Sequence, residues 1–132
     1  MIPSSGVFRA PEGGWGRYRA ALSGGWRWYR VDIADGRGMD DLHHAFATSL
    51  ALPAWYGHNL DALADVLRSL VRDNARGVVL EIERADAIAQ NGRWPDVMDL
   101  LADASREHVA RGEGFCVLIT GQAGAALPSL PD

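Results

Sequence analysis

The chain has 132 residues, 48% apolar and 23% charged, which allows one sizeable core but not two and is ordinary for a soluble globular protein. No apolar stretch approaches the roughly 20 residues of a membrane-crossing helix. A net charge of −4 argues against general nucleic-acid binding, because a phosphate backbone would repel the surface.

The charge is uneven: residues 1–30 hold five arginines and one glutamate, residues 31–132 eight arginines and sixteen acids, and there is no lysine. Such an acidic body suits a basic protein partner, and equally a merely soluble acidic protein. The opening MIPSSGVFRAPEGG has neither a charged start nor an apolar signal-peptide run, so nothing in it directs export. GVFRA (6–10) reads as a short strand and PEGGWGRYRAALSGG (11–25) as a modest helix ended by glycines. WRWYRVDI (26–33) has the aromatic and β-branched content of a strand, and ADGRG (34–38) is a turn. MDDLHHAFATSLAL (39–52) places Leu42, Ala45, Phe46, Ser49 and Leu50 at helical spacing before Pro53 closes it. A loop, PAWYGH, leads to a second helix over 60–73.

GVVLEIE (77–83) reads as a buried strand, RADAIAQNG as a short helix and turn, and WPDVMDLLADASREHVARG (94–112) as the longest helix. Pro95 suits the first turn of that helix and Gly112 its end. GFCVLIT (114–120) is a second buried strand; its Cys116, the sole cysteine, reads as a small buried residue in a reducing cytoplasm. The tail GQAGAALPSLPD reads as loosely ordered. Strands alternating with helices predict one α/β domain with a small, mainly parallel sheet: three strands plus an extra N-terminal one. Its parts are an N-terminal strand–helix extension (1–28), a core (29–120) and a flexible tail (121–132).

Leu60, Leu63, Leu67 and Leu70 form the apolar stripe of the helix after Asn59, with Asp61, Asp65, Arg68 and Arg72 on roughly the opposite side. Asn59 is a good N-cap, and Asp61 favours the positive end of the helix dipole. Asp65 has Arg68 three residues on as a pairing partner, so this face reads either as a solvated surface or as an acidic binding patch. The loop favours the patch. Consecutive Trp55 and Tyr56 before a glycine cannot easily both turn inward, and rigid aromatics beside charges are typical interface anchors. Gly57 would let a partner approach closely. The packing alternative sets one ring on the core.

DLHHAFATSLALPAWYGHNLDALADVL (41–67) resembles the barstar family of ribonuclease inhibitors in uninterrupted order, and the likeness extends more loosely over roughly residues 29–120, through VVLEI and QNG. The resemblance implies a protein that plugs the active site of a basic ribonuclease, its acids standing where RNA phosphates would bind. It places Asp65 at the family's dominant aspartate and Asp61 at the second acid. Trp55 falls at a loop aromatic that stacks in the nuclease's base site, and Asp103 at a peripheral acid. Tyr56, Gly57 and Asn59 match directly. Ala64 and Leu70 stand where the prototype has tryptophans, and His58 replaces an acid, which bears on which nuclease is recognised.

The chemistry agrees: a carboxylate fixed on a helix offers arginine the bidentate geometry of a phosphate, and fixing it beforehand lowers the entropic cost of association. Asp96, Asp99, Asp103 and Glu107 share one face of the last helix and would speed capture of a basic partner, or simply confer solubility. The four histidines fit no metal spacing and no second soft ligand joins Cys116, so no metal or cofactor is expected. His43 reads as structural. A serine-nucleophile motif is absent, and Asp61 and Asp65 on a convex helix start lack the apolar cleft that paired carboxylates need, so an enzyme is not expected.

The expected protein is a cytoplasmic antitoxin or immunity protein, monomeric when free, binding one basic ribonuclease toxin without contact to nucleic acid or membrane. The alternative is a regulatory interaction module on the same scaffold with a non-nuclease partner.

Overall fold

A strand apolar on both faces must sit mid-sheet, where neither face meets water. In the computed structural model, which describes residues 5–10, 25–70 and 75–129, the two such runs, β3 (Gly77–Glu83) and β4 (Gly114–Ile119), lie at the centre of a four-stranded sheet. The outer strands are β1 (Gly6–Arg9) and β2 (Trp26–Asp32), the order is β1-β4-β3-β2, and every pairing is parallel. The extra N-terminal strand therefore exists and occupies an edge. The helix expected over 11–25 lies outside the described residues, apart from Gly25.

Three helices, α1 (Met39–Ser49), α2 (Leu60–Arg68) and α3 (Trp94–Ala110), connect β2 to β3 and β3 to β4. Both crossovers advance across the sheet in the same direction, so connections of one hand lay all three helices on one face. Leu42, Phe46, Leu63, Leu67, Val97 and Leu101 from the helices meet Val31, Val78, Leu80, Ile82, Phe115, Val117 and Ile119 from the strands. On the opposite face Phe8, Val79, Cys116 and Leu118 are buried with Trp26 and Trp28 against them. Burial pushes the Cys116 thiol up to about 12, an inert sulfur as its apolar neighbours suggested. Trp28 donates its indole N–H to Glu81 Oε1 at 2.9 Å, which gives that buried carboxylate a partner within the sheet.

Helix ends depart from expectation by local backbone chemistry. α1 stops at Ser49 rather than Leu52, because Ala51 takes a left-handed φ of 51°. The Ala51 N–H then donates to the Thr48 carbonyl (3.4 Å) and the Leu52 N–H to that of Ala47 (2.9 Å), a Schellman closure. The end of α3 is built the same way on Gly112, φ 78°, with Glu113 N–H on the His108 carbonyl at 2.9 Å. Alanine in that conformation carries a strain of about 1 kcal/mol that glycine lacks. Ala51→Gly is accordingly expected to raise stability by about 0.5–1 kcal/mol, measurable as a higher urea midpoint at unchanged slope. α2 ends at Arg68, short of the expected residue 73; the Ser69 hydroxyl bonds back to the Asp65 and Val66 carbonyls, both at 3.3 Å.

The tail is not loose as far as Ser129. A 3-10 turn at Gln122–Gly124 is held by Asp86 Oδ1 accepting from Ala123 N–H at 2.8 Å, and Arg9 N–H donates to the Pro128 carbonyl at 2.8 Å. Ser129 adds an isolated bridge to Arg9, so the segment is laid along the free side of β1.

Candidate partner-binding site

The loop from Leu50 to Asn59 and the helix it starts form one unit. Asn59 Oδ1 accepts from Ala62 N–H at 2.8 Å while its Nδ2 donates to the Gly57 carbonyl at 3.1 Å, so one side chain caps α2 and fastens the loop before it. A methyl on Gly57 would stand 3.1 Å from that amide nitrogen, so the bare glycine also makes room for the cap. Trp55 projects from the loop 83% exposed.

Along α2, Leu63 and Leu67 are buried while Asp61 and Asp65 face solvent, Asp65 at 75% exposed. Asp65 Oδ1 accepts from Arg68 Nη1 at 2.6 Å, and Arg68 Nε donates to Glu107 Oε2 on α3 at 2.9 Å. The Asp65–Arg68 pairing and the outward-facing acid therefore coexist. Exposed pairs of this kind contribute on the order of 0.3–0.5 kcal/mol, so a partner cation can displace Arg68 at little cost.

Between α2 and α3 runs a groove of about 250 Å³ walled by Asp61, Asp96, Asp99, Asp103 and Glu107, with the half-buried Ala64 also lining it and Arg68 its basic lining residue. A second hollow, about 620 Å³, opens on the other flank of Asp65 under Trp55 and Gly57, with Pro53, Val66 and Leu70 in its wall. Asp103 is exposed and paired with Arg106. The fold thus brings Trp55, Gly57, Asp61, Ala64, Asp65 and Asp103 onto neighbouring surface. Among the described residues, no group of three or more His, Cys, Asp or Glu side chains is placed to hold a metal ion. Among the same residues, no helix is long and apolar enough to cross a membrane.

Compared with known families, residues 26–120 match the model described as Barstar (barnase inhibitor). The chain belongs to the barstar family. The match takes in all three helices and β2–β4, and β1 precedes it.

In this barstar-family chain Tyr56 corrects the expectation of a two-ring aromatic edge. It is 5% exposed, and its hydroxyl is hydrogen-bonded to Nδ1 of the buried His43 at 2.7 Å. Burial pushes its phenol up to about 12. Tyr56 therefore supports the loop from beneath, and Trp55 alone forms the edge. The physical reason is the bond to His43, which gives that buried ring nitrogen a partner from the loop. His58 is exposed, with a left-handed φ of 49° that folds its ring back over Tyr56, centroids 5.1 Å apart.

Sequence reasoning missed one cluster. His108, fully buried on α3, donates Nε2–H to the Leu67 carbonyl at 2.6 Å, and Arg111 Nη2 donates to the Arg68 carbonyl at 2.5 Å. Glu113 faces both, at 2.9 Å from His108 Nδ1 and 3.0 Å from Arg111 Nε. Burial acts to raise the Glu113 pKa, but its bonds to His108 and Arg111 outweigh this and hold it below the usual carboxylate value. The cluster satisfies carbonyls at the end of α2 and locks that helix to α3. A histidine on the apolar face of a predicted helix, five residues before a glutamate, was the available signal.

Proposed function

We propose that the chain is a proteinaceous inhibitor, an antitoxin or immunity protein, that covers the active site of one basic ribonuclease molecule without turnover. The carrying observation is the pairing of a solvent-facing Trp55 and Asp65 with a scaffold fixed beneath them by Tyr56, Asn59 and His108. Family membership supports an inhibitor scaffold. In this reading Asp65 is the central contact, Asp61 its neighbour, Asp103 a peripheral one, and the acidic groove between α2 and α3 guides the basic partner in. His58 and Ala64 border the contact, and Gly57 and Asn59 shape the loop. The protein acts as a monomer in the cytoplasm, where RNA needs protection.

Calorimetric titration against a barnase-like ribonuclease, and against any toxin encoded beside this chain, tests the reading at low and high salt. Tight one-to-one binding that weakens with salt supports it. No binding to either would move the assignment to a non-nuclease partner on the same scaffold. Trp55→Ala is expected to weaken binding by about 1–2 kcal/mol, as truncated aromatic anchors do. Its unfolding midpoint should stay unchanged, because the ring rests mostly in solvent.

A further inference from the structure

Arg68 stands in the wall of the groove between α2 and α3, where a partner's cation would arrive. Its Nη1 donates to Asp65 Oδ1 at 2.6 Å and its Nε to Glu107 Oε2 at 2.9 Å, so one guanidinium joins carboxylates from two helices. The fold does not need that side chain as a tie. His108 already donates to the Leu67 carbonyl and Arg111 to the Arg68 carbonyl, which fastens the end of α2 to α3 through its backbone. Among the described residues, Asp65 Oδ2 has no hydrogen-bond partner.

We propose that Arg68 is a resident counter-cation on Asp65, displaced when the partner's own guanidinium arrives, and that Glu107 is the positioning residue that retains it. Arginine grips a carboxylate best with two parallel bonds, one to each oxygen. An incoming guanidinium can open on the free Oδ2, but it completes the fork only by taking Oδ1 from Arg68. Two cations that close repel, which favours full exchange over sharing. Arg68 then keeps its Nε bond to Glu107, so its charge is not left unpaired as the surface closes. Glu107 is thus occupied by Arg68 rather than by the partner. The partner's other cations fall to the groove acids Asp61 and Asp99, which form no ion pair among the described residues. The identity of the partner rests on the inhibitor reading above; the exchange at Asp65 does not.

The test titrates Arg68→Ala, Glu107→Gln and the double variant, at low salt, with a barnase-like ribonuclease and with a hexaarginine peptide. Arg106→Ala makes the same charge change at the Asp103 pair, within α3 alone, and is the control. The expected result is that Arg68→Ala tightens both ligands about two- to fivefold beyond the control, the equilibrium equivalent of one exposed pair. Glu107→Gln should weaken binding in the wild type and lose most of that effect once Arg68 is gone. Thermal melts should stay close to that of the wild type, because the backbone ties remain. Arg68→Ala that binds no tighter than Arg106→Ala overturns the proposal, as does a Glu107→Gln loss of equal size in both backgrounds. The full pattern with the peptide, beside a ribonuclease that no variant binds, supports the exchange and counts against the inhibitor reading.

Discussion

Asp65→Ala is expected to weaken binding of a basic ribonuclease by about 2 kcal/mol or more, roughly thirtyfold, while leaving stability within about 0.5 kcal/mol. The asymmetry follows from where the carboxylate stands. In the free protein its partner is Arg68, itself half exposed, and such pairs add little to folding. Against a nuclease the same carboxylate would be desolvated and paired with the partner's cations, where charge-assisted bonds are at their strongest. Removing it leaves those cations buried and unpaired. Asp65→Asn separates shape from charge, since the side chain still fills its place. Titration calorimetry at two salt concentrations gives the binding loss, and a thermal melt gives the folding change. A melt that collapses would show the residue to be structural, and an unchanged affinity would remove it from the interface.

The second large effect concerns folding. Gly114→Ala is expected to lower stability by about 1–3 kcal/mol, as forced overpacking does. Trp26, Gly77 and Gly114 lie side by side across β2, β3 and β4, and the indole of Trp26 spreads over both glycines. A Cβ added at Gly114 would stand 2.0 Å from that ring, far inside contact distance, whereas one at Gly77 would also meet the Gly114 carbonyl at 2.7 Å. The ring must therefore leave or the strands must shift. Combining Gly114→Ala with Trp26→Leu should recover part of the loss, a coupling that a double-mutant cycle reads directly. Additive losses would mean that Trp26 is not what requires the glycine.

How much of this was legible in the sequence varies with the distance over which each feature is decided. The runs 77–83 and 114–120 declared central strands because continuous apolarity has one stable position in an α/β sheet. Asn59 and the leucines behind it declared α2, since capping and helical spacing act over a few residues. The end of α1 was overrun because Leu50 and Leu52 continue the apolar pattern, while a left-handed alanine leaves no compositional mark of the kind that Gly112 leaves on α3. Tyr56 was placed on the edge because its bond to His43 joins positions 13 apart through the packed fold. The tail was read as loose for the same reason: Asp86 and Arg9, which hold it, are far away in the chain. Within the candidate site, the exposure of the acids and the Asn59 cap were readable and the supports from Tyr56 and His108 were not, because exposure and capping follow local helix phase whereas those supports depend on which elements meet.

The place of β1 has a consequence for assembly in time. Gly6 pairs with Cys116 and Ser5 reaches Phe115, 110 positions further along the chain, so β1 waits for β4, which is made after β2 and β3. Strands β2, β3 and β4 and the three helices can gather among themselves as the chain emerges, each closing a shorter loop. The edge strand docks only once β4 is made, and the segment ending at Ser129 then settles against it. Two segments far apart in the chain, β1 and the stretch ending at Ser129, thus close the same side of the sheet.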